Sequence, residues 1–151
     1  MSIINKLIPC IAQSLDSHQV AHCFLGADQM QRDIDIFVPR TLIPLANDVL
    51  NSVLHEFGYT YLYTKFNSDA TQPYFTDTYN LNLFNVNLMP EFSFRGIAYT
   101  HWDDIEDKII LRDDMIAVLP DSELLAYKAI RDSFCKIDTR PIGRKVSDNG
   151  L

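Results

Sequence analysis

Two aspartates separated by one residue, Asp33 and Asp35, are the side chains in this sequence best suited to metal chemistry. They alternate with Ile34 and Ile36, which predicts a β-strand with both carboxylates on one face and both isoleucines toward the core. Two neighbouring carboxylates repel each other, and a divalent cation relieves that repulsion. Because the ligand atoms are oxygens, the pattern predicts a Mg²⁺ or Mn²⁺ site that also binds phosphates.

Candidate phosphate-binding residues lie on both sides of this pair. Residues 20–25 predict a short buried strand that ends at Gly26. A glycine there lets backbone N–H groups approach a phosphate closely, so we take Gly26 and Ala27 as a candidate phosphate-binding loop. Basic side chains that suit phosphate, or that are simply surface charges, are Arg32, Lys65 and Arg95.

The elements that must position these residues alternate between helices and strands. Apolar spacings of three and four predict helices over residues 3–15 and 41–57, the second ending at Gly58. β-branched and aromatic runs predict strands over 33–38, 59–66, 74–79 and 81–89. Further on, the patterns predict a short acidic helix over 102–109, a brief strand over 115–119 and a helix from 121 to about Lys136.

This order predicts one α/β domain (α+β in stricter usage) over residues 1–137, followed by an irregular tail over 138–151. We expect a mixed, largely antiparallel sheet flanked by helices. The strand over 81–89 contains a change of parity, because Leu83 and Phe84 are both apolar. Either a bulge near these two residues gathers Asn82, Asn85 and Asn87 on one face, or the strand is buried on both faces.

The order of strand, glycine, short connection, Asp-x-Asp strand and amphipathic helix resembles the nucleotidyltransferase fold of the DNA polymerase beta superfamily. The matching residues are Gly26-Ala27 and Asp33-Ile34-Asp35. The segments 90–96 and 119–120 also look similar to small bacterial nucleotidyltransferase-like proteins. The resemblance covers residues 18–135 and implies that the chain has the nucleotidyltransferase fold.

The resemblance also implies an activity, which is transfer of a nucleoside monophosphate from an NTP to a hydroxyl of a small molecule or protein. Asp33 and Asp35 would hold the metals, and a third carboxylate would lie on a later strand. Here that strand carries Asn87, whose carbonyl oxygen can bind a metal but brings no negative charge and cannot act as a base. The nearest acids that could replace it are Asp77 and Glu91.

Two other functions remain open. The fold can be catalytically degenerate and serve as a nucleotide-binding or protein-interaction module, which the asparagines at the third position favour. Alternatively, the chain is a plain interaction domain that uses Tyr59, Tyr61 and Tyr63, which alternate along one predicted strand.

Composition limits the partners. The chain has 151 residues, 47% of them hydrophobic, and a net charge of −7, which argues against bulk binding to nucleic acid. Its apolar runs fall short of the roughly 20 residues of a membrane helix. Three widely separated cysteines, Cys10, Cys23 and Cys135, suggest neither a disulfide scaffold nor a zinc site, so we expect a reducing cytoplasm.

Overall fold

A seven-stranded mixed sheet organises the chain in the computed structural model, which describes residues 3–25, 34–66, 70–77, 83–95 and 97–137. The strands are β1 (Cys23–Phe24), β2 (Ile34–Phe37), β3 (Tyr59–Phe66), β4 (Thr71–Asp77), β5 (Leu83–Met89), β6 (Glu91–Phe94), β7 (Ile97–His101), β8 (Ile110–Leu111) and β9 (Ala117–Val118). The helices are α1 (Ile3–Ser17), α2 (Ile43–Glu56), α3 (Trp102–Ile105) and α4 (Asp121–Ile137). The predicted tail over 138–151 lies outside the described residues.

The order of strands in the large sheet is β3-β4-β5-β2-β1-β9-β8, and β6 and β7 form a separate hairpin. The β2–β5 and β1–β9 pairs are parallel, and the other neighbouring pairs are antiparallel. The prediction of an α/β chain with a mixed, largely antiparallel sheet is therefore confirmed. None of the helices within the described ranges is both long and apolar enough to cross a membrane.

Helices α1 and α2 cover one face of the sheet, which we call the helical face. Ile34 and Ile36 of β2 are buried there, as predicted. The helices contribute apolar residues spaced by three and four, among them Leu7, Ile11, Leu15, Leu50 and Leu54, each fully buried. Burial of this stripe from two helices is the main source of their stability, because short helices are marginal in water alone.

On the opposite face, the residues that the structure describes cover only part of the width of the sheet. Phe37 of β2 packs there against Phe92 of β6 and Trp102 of α3. Cys23 and Tyr127 belong to the same cluster, and burial raises the pKa of each side chain to about 12. The hairpin and helices α3 and α4 thus cover the β1–β2–β9 side of this face.

Sequence patterns located most elements but missed short ones. The predicted strand over 59–66 matches β3, and the predicted helix 41–57 begins with a single 3-10 turn (Arg40–Leu42) before α2. The β6–β7 hairpin was not predicted, because strands of four and five residues carry too few alternations to distinguish from a loop.

Neither alternative for the parity change at Leu83 and Phe84 is found, because β5 has no bulge there and is not buried on both faces. The register of β4 with β5 runs through both residues without a shift, and Leu83 is 57% exposed on the face opposite Phe84. The shift occurs in β3 instead, between Tyr61 and Tyr63. Tyr61 therefore pairs with Phe75 on the helical face, whereas Tyr63 is turned to the opposite face.

Gly58 ends α2 with φ of +83°, a conformation that side chains disfavour. A Cβ at this position would meet nothing within 4 Å, so the cost of Gly58→Ala is conformational rather than steric. We expect Gly58→Ala to lower the free energy of unfolding by about 1 kcal/mol, and Gly58→Asn by less. Urea unfolding curves measure both changes, and an alanine variant as stable as the original chain would contradict this account.

Candidate functional site

Four polar side chains form a row across the sheet, on the face opposite α1 and α2. Lys65 of β3 is the Cα partner of Gln72 on β4, and Asn87 of β5 is the partner of Asp35 on β2. A side-chain hydrogen bond from Gln72 to Asn87 connects the Lys65–Gln72 pair to the Asn87–Asp35 pair. Directly opposed residues project from the same face of a sheet, so the four side chains share one surface. We call this set the polar row.

Hydrogen bonds connect the central members of the row. Asn87 Nδ2 donates to Asp35 Oδ1 at 2.6 Å. The Oδ1 atom of Asn87 accepts from Gln72 Nε2 at 2.5 Å and from Asn85 Nδ2 at 2.8 Å. The structure thus brings together Asp35 and Asn87, two of the three residues predicted as catalytic. The amide of Asn87 presents its N–H group, and not its oxygen, to the carboxylate.

The parallel pairing of β2 with β5 explains why these two residues meet. Ile34, Asp35, Ile36 and Phe37 pair in order with Val86, Asn87, Leu88 and Met89. In both strands the residues flanking the polar one are buried on the helical face. A shift of one residue would bury Asp35 in an apolar core, so the hydrophobic pattern fixes the register that joins the polar pair.

Only some of the oxygen atoms of the polar row are placed to bind a hard cation. The half-buried Asp35 carboxylate suits Mg²⁺ or Mn²⁺. The Asn87 oxygen is already shared by Gln72 and Asn85, so the amide would have to turn over to bind a cation. Within the ranges that the structure describes, no three His, Cys, Asp or Glu side chains lie together as a metal-binding group. Asp33, the other predicted ligand, lies outside those ranges.

The two acids that could replace a third carboxylate, Asp77 and Glu91, lie away from Asp35. Asp77 projects from the same face of β4 as Phe75, which is the helical face and not that of Asp35. Glu91 accepts a hydrogen bond from Arg40 Nη2 at 2.7 Å, and its other oxygen lies 3.2 Å from His101 Nδ1. Neither acid completes the predicted site in this arrangement.

The structure separates the predicted phosphate-binding residues. Lys65 stands at the end of the polar row, three strand spacings or about 14 Å from Asp35. Arg95 lies at the β6–β7 turn with φ of 52°, and its guanidinium carbon is 5.5 Å from the centroid of the Phe94 ring. The predictions for Gly26, Ala27 and Arg32 fall on residues outside the described ranges.

Sequence reasoning did not identify Gln72 as a member of the site. The predicted strand begins only at residue 74, but β4 already begins at Thr71. The signal was present in the alternation of Gln72, Tyr74 and Thr76 with the buried residues Pro73 and Phe75. Pro73 concealed it, because proline is usually excluded from paired strands.

The fold and the polar row together define an α/β domain with a hydrogen-bonded amide–carboxylate centre on the face opposite its main helices. No protein-family model matches the chain, and neither does any curated protein. Among solved structures, the chain is similar to the crystal structure of JHP933 from Helicobacter pylori, at 11% identity and a TM-score of 0.48. The match covers 85% of this chain but 57% of that one.

We expect Asn87→Asp to make the stability of the domain depend on pH and on divalent cations. The new carboxylate would lie within hydrogen-bonding distance of Asp35, and two such charges repel each other. At neutral pH the variant should lose about 1–3 kcal/mol of unfolding free energy. The loss should shrink as the pH falls from neutral to acid, because a proton shared by the two carboxyl groups removes the repulsion.

Unfolding of both proteins across this pH range, with and without Mg²⁺ or Mn²⁺, measures the effect. A divalent cation should restore the unfolding free energy of the variant at neutral pH, because both carboxylates can bind the same cation in place of the lost hydrogen bond. The unsubstituted chain is the matched control, since it has the same shape without the second charge. A variant equally stable at both pH values and indifferent to cations would show that the two side chains are not in contact.

Proposed function

We propose that this chain binds a nucleoside triphosphate through a divalent cation. We further propose that it transfers the nucleoside monophosphate to a hydroxyl of a small molecule or protein. The contact of Asp35 with Asn87 across neighbouring parallel strands carries the proposal. It brings together the Asp-x-Asp strand and the position of the third ligand in the way that the resemblance to nucleotidyltransferases implies.

Each part of the polar row has a role in this proposal. Asp35, together with Asp33, would hold Mg²⁺ or Mn²⁺ through carboxylate oxygens. Such a cation, when bound, neutralises charge on the phosphates and stabilises the attacking and leaving oxygens. Lys65 supplies positive charge at the far end of the row, where it suits the terminal phosphates. Asn87 fixes the orientation of the Asp35 carboxylate by donating to Oδ1.

Asn87 also limits the chemistry. A neutral amide cannot take a proton from the acceptor hydroxyl, so the third position supplies no general base. The acceptor must then lose its proton to another group or attack while still protonated. We therefore expect slow turnover compared with a site that has three carboxylates.

The hydrogen bonds of Asn87 favour a second candidate function, which is nucleotide binding without transfer. The amide oxygen is held by Gln72 and Asn85, and Asp77 and Glu91 are placed elsewhere. In this case the domain is a degenerate nucleotidyltransferase that acts as a nucleotide-binding or protein-interaction module.

For both candidates we infer a reducing, cytoplasmic location, which the three free thiols support.

Nucleotide binding is the first prediction of this proposal. We expect the thermal unfolding midpoint to rise with an NTP and Mg²⁺ or Mn²⁺ together, because a ligand that binds only the native state stabilises it by mass action. Asp35→Asn should abolish the rise. This variant is a sharp control, because its amide oxygen can still accept the hydrogen bond from Asn87 while the negative charge is gone. An equal rise in the variant would exclude Asp35 as a metal ligand.

Transfer is the second prediction, and it distinguishes the two candidates. The original chain is incubated with an α-labelled NTP, a divalent cation and a set of hydroxyl acceptors. Label should appear on an acceptor and fall by about 100-fold or more in Asp35→Asn, because the metal stabilises transition-state charge. Metal-dependent binding with no label on any acceptor would favour the degenerate module. No binding of any nucleotide would leave the plain interaction domain.

A further inference from the structure

A pair of stacked tyrosines lies beside the polar row on the same face of the sheet. Tyr63 of β3 and Tyr74 of β4 are Cα partners, with ring centroids 4.8 Å apart and 16° between the ring planes. Tyr74 is in turn the partner of Asn85 on β5. The register shift in β3 is what turns Tyr63 to this face. The aromatic pair and the amides of the row therefore share one surface.

Neither ring of this pair belongs to the buried hydrophobic clusters of the described residues. The buried aromatic residues of these strands, Tyr59 and Phe75, lie on the helical face. Tyr63, by contrast, is 51% exposed. Because Tyr63 lies on the edge strand, it covers the outer side of the Tyr74 ring, and the other side of that ring is directed toward β5. A planar ring placed above Asn85 would stack on Tyr74.

The distance from the space above Asn85 to Asp35 matches the size of one nucleotide. Tyr74 lies two strands from β2, which is about 10 Å across the sheet, and Asn85 lies one strand from β2, about 5 Å. Asn85 is two residues from Asn87, the partner of Asp35. A base above Asn85 would thus leave its phosphates within reach of Asp35.

We propose that the Tyr63–Tyr74 pair holds the base of the nucleoside triphosphate whose phosphates occupy the polar row. The inference rests on the proposed function and adds to it the means of binding the base. Stacking uses the ring face that every base has, so it predicts similar affinity for all four NTPs. Selectivity then depends on other contacts of the base.

The experiment compares an NTP with inorganic triphosphate, each titrated calorimetrically in the presence of Mg²⁺. Tyr74→Leu should weaken NTP binding by about tenfold and leave triphosphate binding unchanged, because only the NTP has a ring to stack. Tyr74→Phe should bind the NTP as the original chain does. Tyr61→Leu is the matched control, because Tyr61 lies on β3, next to the strand of Tyr74, and is 43% exposed but belongs to the helical face.

Each other outcome counts against a specific step. An unchanged NTP affinity in Tyr74→Leu would overturn base stacking, and so would an equal loss for both ligands, which would mean that Tyr74 only supports the row. Unfolding of each variant without ligand checks its fold, and Tyr63→Leu provides a second test if Tyr74→Leu is unstable. Failure of the NTP to bind the original chain in the presence of Mg²⁺ would overturn the proposed function itself, before any tyrosine variant is used.

Discussion

The hydrogen bond from Asn87 to Asp35 joins the two parallel strands at the centre of the sheet, and the rest of the candidate site depends on it. An acidic side chain is tolerated at the middle of a sheet only when a polar partner satisfies it. Asn87 does so without adding charge, and Gln72 and Asn85 in turn satisfy the oxygen of Asn87. A chain of neutral amides therefore supports the carboxylate of Asp35 at the centre of the sheet.

This arrangement has consequences for stability and for function together. A third carboxylate would bind a cation more strongly and would also repel Asp35 whenever the cation is absent. The amide at position 87 avoids that added repulsion. The same substitution removes a general base.

The two faces of the sheet differ, because one holds the buried core and the other carries the candidate site. The helical face is apolar and buried, and it sets the register of β2 with β5. The other face is covered by the β6–β7 hairpin and by α3 and α4 on one side only. The other side of that face, which none of the described helices covers, carries the polar row and the stacked tyrosines. A packed core on one face therefore fixes the positions of polar and aromatic side chains on the other.

The sequence by itself determined the helices, the main strands and the outward position of Asp35, because periodicities of 3.6 and 2 follow directly from backbone geometry. It also pointed to Asn87 through a family resemblance, and to the neutral character of that position. Only the tertiary structure decided that Asn87 turns its N–H group to Asp35, that Gln72 joins the row and that Asp77 and Glu91 do not. It also placed the bulge in β3 and not in β5, which separated Tyr63 from Tyr61. These facts depend on which strands become neighbours and in what register, and no local pattern encodes contacts between residues that are fifty positions apart.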